Sequence, residues 1–436
     1  MNAFNGRTVS VMIVCLVLFS LCLLSFSVQA SNQQNQSLSP KTYQALTDIQ
    51  ALLAENNFLE AKQGLLDLEE NLNPGFGLAL TFQTHAQLFL AQENNSQAIL
   101  YFNKALALNA MKPEQAVSLA TNVAQLHLAA GEIDEAISVL QERIEAAEKE
   151  APGTTLAMAY ISLGSAYQLK QDFSNAVIWL VQGIERSDKP RENWLQMLMA
   201  AHYQLKQYAK AVAVLDDLIV LNETKEEYWL QQASLYQMMN QPKRALQVLQ
   251  LANVRNVLVK EDGLIILVQL LITEGVPERG GRILLELLDS KKIELSDDNW
   301  NLLASAWLQS RERKKAISAF IKAAELKESK ASALAASRAS EKLTLNKQAA
   351  DLYYRSAQLQ FEESQFEAAA ETFARGRVLG LSGNKVGLSL LMQGNAYFEL
   401  ESYGQAKEYF SRALKAPSST NTARAWLEYM EQLELF

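Results

Sequence analysis

The sequence predicts an all-α protein, an α-solenoid of about ten helical hairpins that ends in a capping helix. Three observations predict this fold. Small residues recur at the spacing of helical repeat arrays, apolar residues keep a helical period, and turn-forming residues are scarce. Only 18 Gly and 8 Pro occur in 436 residues, whereas a β-rich chain of this length needs many more turn residues.

The N-terminal segment differs from the remainder and predicts a cleaved signal peptide over residues 1–30. Residues 8–28 carry no charge, and Val28-Gln29-Ala30 places small residues where a signal peptidase needs them. The alternative is an uncleaved inner-membrane anchor, because about 20 apolar residues can span a bilayer. Residues 31–40 read as a polar linker. Export of this kind predicts a periplasmic location.

Composition excludes several classes of chemistry. Cys15 and Cys22 both lie in the signal segment, so the mature chain has no disulfide, thiolate nucleophile or Cys-ligated metal. The chain has 40 Lys and Arg against 48 Asp and Glu. Removing residues 1–30 removes only Arg7, so the mature net charge is 39 − 48 = −9. This acidic balance disfavours nucleic acid as a partner.

Each repeat unit contains two apolar helical patterns with a small residue in each. One unit reads Tyr160-x-x-Leu163-Gly164-x-x-Tyr167 and then Phe173-x-x-Ala176-x-x-x-Leu180. The small residues let the two helices cross closely, and neighbouring units must stack to bury their outer faces. The small residue of the second helix recurs at Ala61, Ala98, Ala136, Ala176, Ala211, Ala245, Gly280, Ala316, Ala369 and Ala406.

Over residues 41–416 this pattern resembles the tetratricopeptide repeat family. The resemblance implies a right-handed superhelix in which the first helix of each pair lines a concave surface. Nine intervals separate the ten small residues; eight lie between 34 and 40, and one is 53. The long interval predicts an extra helix and hinge over 328–346, between a main array at 41–327 and a C-terminal block at 347–416. A capping helix is predicted within 417–436.

No catalytic motif is present. The histidines His85, His127 and His202 stand beside or among the packing positions of their units and have no mate at ligand spacing. We interpret all three as packing residues. The sequence therefore predicts no enzyme activity, no metal site and no cofactor.

A partner-binding surface is predicted from the face of each first helix. The residue after the small one and the residue three further on share a face. Across nine units none of these eighteen positions is charged, although charged residues make up 20% of the chain. The carboxylate-clamping Lys and Arg of the family's chaperone-tail binders are absent. The candidate groove residues are Gln87, Leu90, Gln125, Leu128, Gln168, Tyr203, Gln237, Gln269, Leu308, Gln358, Phe361, Asn395 and Phe398.

Amide and apolar side chains suit an extended polypeptide, since amides pair with its backbone and apolar groups contact its side chains. The alternative is that neighbouring helices cover these positions. The architecture also resembles the periplasmic tetratricopeptide component that accompanies TonB energy-transduction systems. That resemblance implies a role in iron-complex uptake and contacts with an inner-membrane protein complex.

Two other functions stay open. One is a scaffold of a secretion, pilus or polysaccharide-export machine, which the sequence does not separate from the TonB system. The other belongs to a different class, a small-ligand or peptide sensor, and it predicts an enclosed pocket.

Overall fold

The computed structural model describes residues 37–152 and 156–435. Within these ranges the chain forms 21 α-helices, one short 3-10 helix at Ala336–Arg338 and no β-strand. The predicted all-α class and repeat architecture are therefore confirmed. None of these helices is both long and apolar enough to cross a bilayer. The predicted signal peptide at 1–30 and the linker residues 31–36 lie outside the described residues.

The chain divides into two compact units, and the helices up to Asn222 form unit 1. Unit 1 contains five hairpins, in each of which an odd-numbered first helix is followed by an even-numbered second helix. Its helices are α1 (Pro40–Ala54), α2 (Phe58–Asn71), α3 (Phe76–Ala91), α4 (Asn95–Ala107), α5 (Pro113–Ala130), α6 (Ile133–Glu150), α7 (Ala157–Leu169), α8 (Phe173–Glu185), α9 (Glu192–Gln204) and α10 (Tyr208–Leu221).

The helices from Glu223 onward form unit 2, with five further hairpins and one last helix. They are α11 (Glu226–Met238), α12 (Pro242–Val254), α13 (Glu261–Thr273), α14 (Pro277–Asp289), α15 (Asp297–Gln309), α16 (Arg313–Ala333), α17 (Ala339–Glu362), α18 (Phe366–Val378), α19 (Asn384–Glu399), α20 (Tyr403–Ala413) and α21 (Thr420–Gln432). Helix α21 buries Ala423 and Met430 against the hairpin before it. Ten hairpins and a final helix match the predicted count.

The two helices of a hairpin cross closely where each carries a small residue or glycine. All ten small residues predicted on second helices lie there and are buried. On the first helix a Cβ added to Gly164 would lie 2.7 Å from Leu180 Cγ, and one added to Gly394 would lie 2.6 Å from Phe410 Cε1. Because no real Cβ tolerates such contacts, the missing side chain sets how closely the two helices approach.

Each of the ten hairpin turns contains one residue in the left-handed region, with φ between 55° and 82°. Only two of these residues are glycine, Gly131 and Gly275. Left-handed backbone is costly for other residues, so stacking of the two helices stabilises the remaining eight. They are Asn56, Glu93, Gln171, Lys206, Asn240, Arg311, Ser364 and Glu401.

The extra helix predicted over 328–346 is wrong. Helix α16 continues to Ala333 and α17 begins at Ala339, so two neighbouring helices are each lengthened around the short 3-10 turn. The stretch is rich in Ala and Lys, which are strong helix formers, and has no Gly or Pro to separate a third helix. The boundary between the two compact units lies after Asn222 instead. A hinge at 328–346 stays a prediction.

Acidic residues join consecutive hairpins of unit 2. The first residue of α11, Glu226, is buried and accepts a hydrogen bond from the backbone N–H of Lys260 (3.2 Å), just before α13. The first residue of α13, Glu261, accepts one in turn from the N–H of Glu294 (3.0 Å). A carboxylate near a helix N-terminus is stabilised by the exposed N–H groups and the helix dipole. These contacts hold the starts of successive first helices together.

Prediction one concerns the helix crossing of the last hairpin. We expect Gly394→Ala to lower the free energy of unfolding by about 1–3 kcal/mol, because the new methyl overpacks against Phe410. Gly404→Ala is the control, since a Cβ there meets nothing within 4 Å. It should raise stability by no more than about 1 kcal/mol. Urea unfolding followed by circular dichroism measures both, and equal effects would contradict the crossing argument.

Prediction two concerns Asp297, which is buried and bound by the ammonium groups of Lys327 and Lys330. Burial raises the pKa of this carboxyl, but the hydrogen bonds from both lysines outweigh burial and leave the pKa below its usual 3.8. A lowered pKa stabilises the fold above about pH 4, and this contribution disappears as the pH falls through the folded value. We expect Asp297→Asn to cost about 2–4 kcal/mol at pH 7.

The same variant should approach wild-type stability only as the pH falls through the folded pKa of Asp297, which lies below 3.8, because the wild-type carboxyl is then protonated. Asp298→Asn is a matched control, since the neighbouring side chain is 86% exposed and lies 3.5 Å from the Lys327 ammonium. Its effect should stay under about 0.5 kcal/mol. Urea titrations at several pH values measure the differences, and a penalty for Asp297→Asn that does not change with pH would refute the explanation.

Candidate functional site

The candidate groove residues all lie on first helices, from α3 to α19. Their exposure varies. Four are exposed to solvent, Tyr203, Gln237, Gln269 and Leu308. The other nine are half-buried, Gln87, Leu90, Gln125, Leu128, Gln168, Gln358, Phe361, Asn395 and Phe398. Each unit therefore presents a row of uncharged side chains, but individual members differ in how freely a partner could reach them.

In unit 1 some of these side chains serve the packing between hairpins. Leu90 packs against the apolar cluster that α3, α4 and α5 share. The amide of Gln168 donates to the backbone carbonyl of Met197 on the next first helix (2.7 Å). Tyr203 is 40% exposed, and its ring centroid lies 6.0 Å from that of Tyr208. Neighbouring helices therefore partly cover Leu90 and Gln168, and both residues take part in the packing between hairpins.

In unit 2 the aromatic groove residues meet further rings. The ring centroid of Phe398 lies 5.6 Å from Tyr403, 5.1 Å from Trp426 and 6.3 Å from Tyr429. We call these four residues the terminal aromatic cluster. Its outer member, Tyr429, is 47% exposed. In the preceding hairpin, the ring of Phe361 packs edge-to-face with that of Phe366 on the second helix. Rings of this kind offer large apolar contact area.

Three amide oxygens on the first helices of unit 2 are shielded from solvent and accept no hydrogen bond. They belong to Asn395, a predicted groove residue, and to Asn301 and Gln360, which the prediction omitted. Asn301 lies four residues before Ser305 and seven before Leu308, so it shares their helix face. Extending the predicted face by one helical turn would have included it. An unpaired acceptor of this kind costs about 1–3 kcal/mol.

The histidine of the second hairpin is a buried packing residue. Both ring nitrogens of His85 lack a hydrogen-bond partner, and its ring centroid lies 4.4 Å from that of Tyr101. Its nearest carboxylate is that of Glu69, 3.6 Å away. Burial, together with the positive charges of Lys104 and Lys62, lowers the pKa of His85 to about 4. The imidazole is therefore neutral at physiological pH.

The other two histidines each hydrogen-bond to a residue in the turn of their own hairpin. Nδ1 of His127 lies 2.7 Å from the carboxylate of Glu132, and Nδ1 of His202 lies 2.8 Å from the amide oxygen of Gln207. Each partner is the residue that precedes the second helix. Burial holds the pKa of His202 below its usual value, although the Gln207 hydrogen bond opposes this effect. Across residues 37–152 and 156–435, no three His, Asp or Glu side chains are placed to hold a metal ion.

Comparison with known families identifies the repeat. Residues 389–420 match the family model of the tetratricopeptide repeat, and they span most of α19, all of α20 and the start of α21. The chain carries tetratricopeptide repeats. Gly394 and Ala406 lie inside this stretch, at the small positions on which the resemblance was based. The predicted repeat family is therefore confirmed. No curated protein matches the sequence.

Solved structures with low sequence identity are similar to this chain. A chain in the structure of Naa15/Naa10 bound to HypK-THB is 15% identical with a TM-score of 0.48, and the similarity covers 86% of this chain and 58% of that chain. The C-terminal part of a TPR repeat-containing protein from Cytophaga hutchinsonii is 16% identical, with a TM-score of 0.37 and coverages of 64% and 94%.

A third similar structure is the TPR2AB domain of yeast Sti1 in a complex with pHSP90. It is 17% identical, with a TM-score of 0.30 and coverages of 76% of this chain and 99% of that chain. This chain thus spans a little over half the length of the Naa15/Naa10 chain that it matches.

Proposed function

We propose that the chain is a non-catalytic scaffold that binds an extended stretch of a partner protein along the first helices of its repeats. The observation that carries the proposal is the row of uncharged side chains on the first helices, of which Tyr203, Gln237, Gln269 and Leu308 are exposed. Hydrogen-bond acceptors beside apolar groups match the alternating polar and apolar surface of an extended polypeptide.

Two hairpins of unit 2 present similar residues on this face. On α15 it is formed by Asn301, Ser305 and Leu308; on α19, two hairpins later, Asn395 takes the place of Ser305 and Phe398 that of Leu308. Partner backbone groups would hydrogen-bond to exposed amides of the first-helix face, and partner apolar side chains would pack on leucine and phenylalanine. No charged group in these positions would need to be desolvated, which lowers the cost of binding.

We further propose that the protein acts in the periplasm as an accessory of TonB-dependent uptake. Support comes from the signal-like segment at residues 1–30 and from the resemblance of the whole architecture to the periplasmic component of that system. A scaffold of a secretion, pilus or polysaccharide-export machine has the same requirements. Cross-linking in intact cells, followed by mass spectrometry of the captured proteins, distinguishes them: TonB-system proteins support the first proposal, and components of another machine replace it.

Prediction three tests the binding face. We expect the triple variant Gln237→Glu, Gln269→Glu and Leu308→Glu to reduce capture of the cross-linked partners at least tenfold, on the order of 1.4 kcal/mol or more. Three carboxylates would have to be desolvated under the bound segment. Circular dichroism should show unchanged helicity, because all three side chains are exposed.

A control variant places the same charge on second helices. Gln247, Ser318 and Ser411 are exposed residues of α12, α16 and α20, and each is changed to Glu. Partner capture should match wild type, since these positions are not on the proposed face. Equal capture by both triple variants would show that the first-helix face of unit 2 does not bind the partner.

A further inference from the structure

A guanidinium in the last hairpins of unit 2 lies in a protected position with only neutral hydrogen-bond partners. Arg377, near the end of α18, donates from Nη1 to Ser389 Oγ (3.1 Å) and from Nη2 to the amide oxygen of Gln393. Ser389 and Gln393 are themselves buried on α19. The arginine therefore crosses from one hairpin to the next and holds two of its five N–H groups against polar but uncharged atoms.

A second guanidinium, that of Arg412, lies over the same tyrosine ring as the first. The guanidinium carbons of Arg377 and Arg412 lie 5.9 Å and 5.1 Å from the centroid of the Tyr409 ring. That ring stacks on Tyr397, with centroids 5.3 Å apart and an angle of 20° between the planes. Arg412 has one carboxylate near it, that of Glu408 on its own helix at 3.7 Å, and both side chains are at least half exposed.

Charge is not balanced at Arg377. Among residues 37–152 and 156–435, no carboxylate lies within 4.0 Å of it, whereas Arg375, two residues earlier, pairs with Glu328. Burial, with a smaller contribution from the charge of Arg412, lowers the pKa of Arg377 to about 10, although the phenol groups of Tyr409 and Tyr397 oppose this. The rings attract a cation but do not neutralise it. Arg377 is half-buried, and a partly desolvated charge without a counter-ion is costly.

We propose that Arg377 and Arg412 form an oxyanion-binding site that takes a carboxylate or phosphate group at the seam between α18, α19 and α20. The planar guanidinium fork matches both groups in two-point geometry, and Nε of Arg377 makes no hydrogen bond to any residue that the structure describes. None of the site residues is a candidate groove residue, so the site goes beyond the proposed peptide-binding face and is separate from it.

Prediction four tests this site on the full mature chain with inorganic phosphate and acetate as probes. Thermal unfolding and isothermal titration are run at one ionic strength, with chloride making up the difference. We expect phosphate, acetate or both to raise the unfolding temperature and to give a saturable titration that chloride does not give. Phosphate above acetate indicates a tetrahedral ligand, and acetate above phosphate indicates a carboxylate. Equal behaviour of all three anions overturns the proposal.

The variants locate the binding. Arg412→Gln, on a half-exposed side chain, should weaken the titrated affinity about tenfold, the loss of one charge-assisted contact. Arg424→Gln on α21 is the exposed control and should leave the affinity unchanged. An anion response that survives Arg412→Gln, or that Arg424→Gln removes equally, would show binding elsewhere and contradict the proposal.

Arg377→Met separates a ligand site from a purely structural arginine. In either role the replacement removes the hydrogen bonds to buried Ser389 and Gln393, so the variant should unfold at a lower temperature than wild type without any anion. The two roles differ in the response to phosphate or acetate. A ligand site predicts that the anion-induced rise is lost, whereas a purely structural arginine predicts that the rise is as large as in the wild type. If Arg377→Met does not fold, the response of Arg412→Gln decides between the two.

Discussion

The close crossing of the two helices in each hairpin is the constraint on which the rest of the structure depends. At Gly164 and Gly394 the first helix has no side chain, and the Leu180 and Phe410 side chains of the second helix fill the space. A hairpin closed in this way buries one face of each helix and leaves the others to neighbouring hairpins. Repetition then follows from packing, since a single hairpin cannot cover its own apolar surface.

Polar contacts complete what apolar packing begins. The carboxylates of Glu226 and Glu261 each reach the start of the next first helix, and Asp297 binds two lysines of the lengthened helix α16. Charged groups near the helix starts are thus engaged in joining hairpins. The C-terminal half of the first helices, where Asn395 and Leu308 lie, carries amides and apolar groups on this face instead. This division separates the residues that hold the array together from those available to a partner.

Two candidate binding features use different physics. The first-helix face has free acceptors and apolar area, which suit a polypeptide backbone and its side chains. Arg377 and Arg412 have excess positive charge and suit an anion. Both features involve unit 2. The first consists of uncharged side chains, several of them exposed, and the second contains a guanidinium whose hydrogen-bond partners are neutral.

The sequence by itself determined the all-α class, the ten hairpins and the helix faces, because these depend on residues three or four positions apart. It did not reveal the turns, since eight of the ten left-handed residues are not glycine and are held by the helices on either side. It also misjudged residues 328–346, where good helix formers lengthen α16 and α17.

Only the tertiary structure decided which groove amides are used and which are free. Gln168 and Asn395 occupy corresponding faces, yet Gln168 donates to Met197 whereas the oxygen of Asn395 accepts nothing. The sequence also did not show that Arg377 has no carboxylate partner among the described residues. The physical reason is the same in each case. A side chain's partners come from neighbouring helices a dozen or more residues away, and helical periodicity says nothing about which atoms meet there.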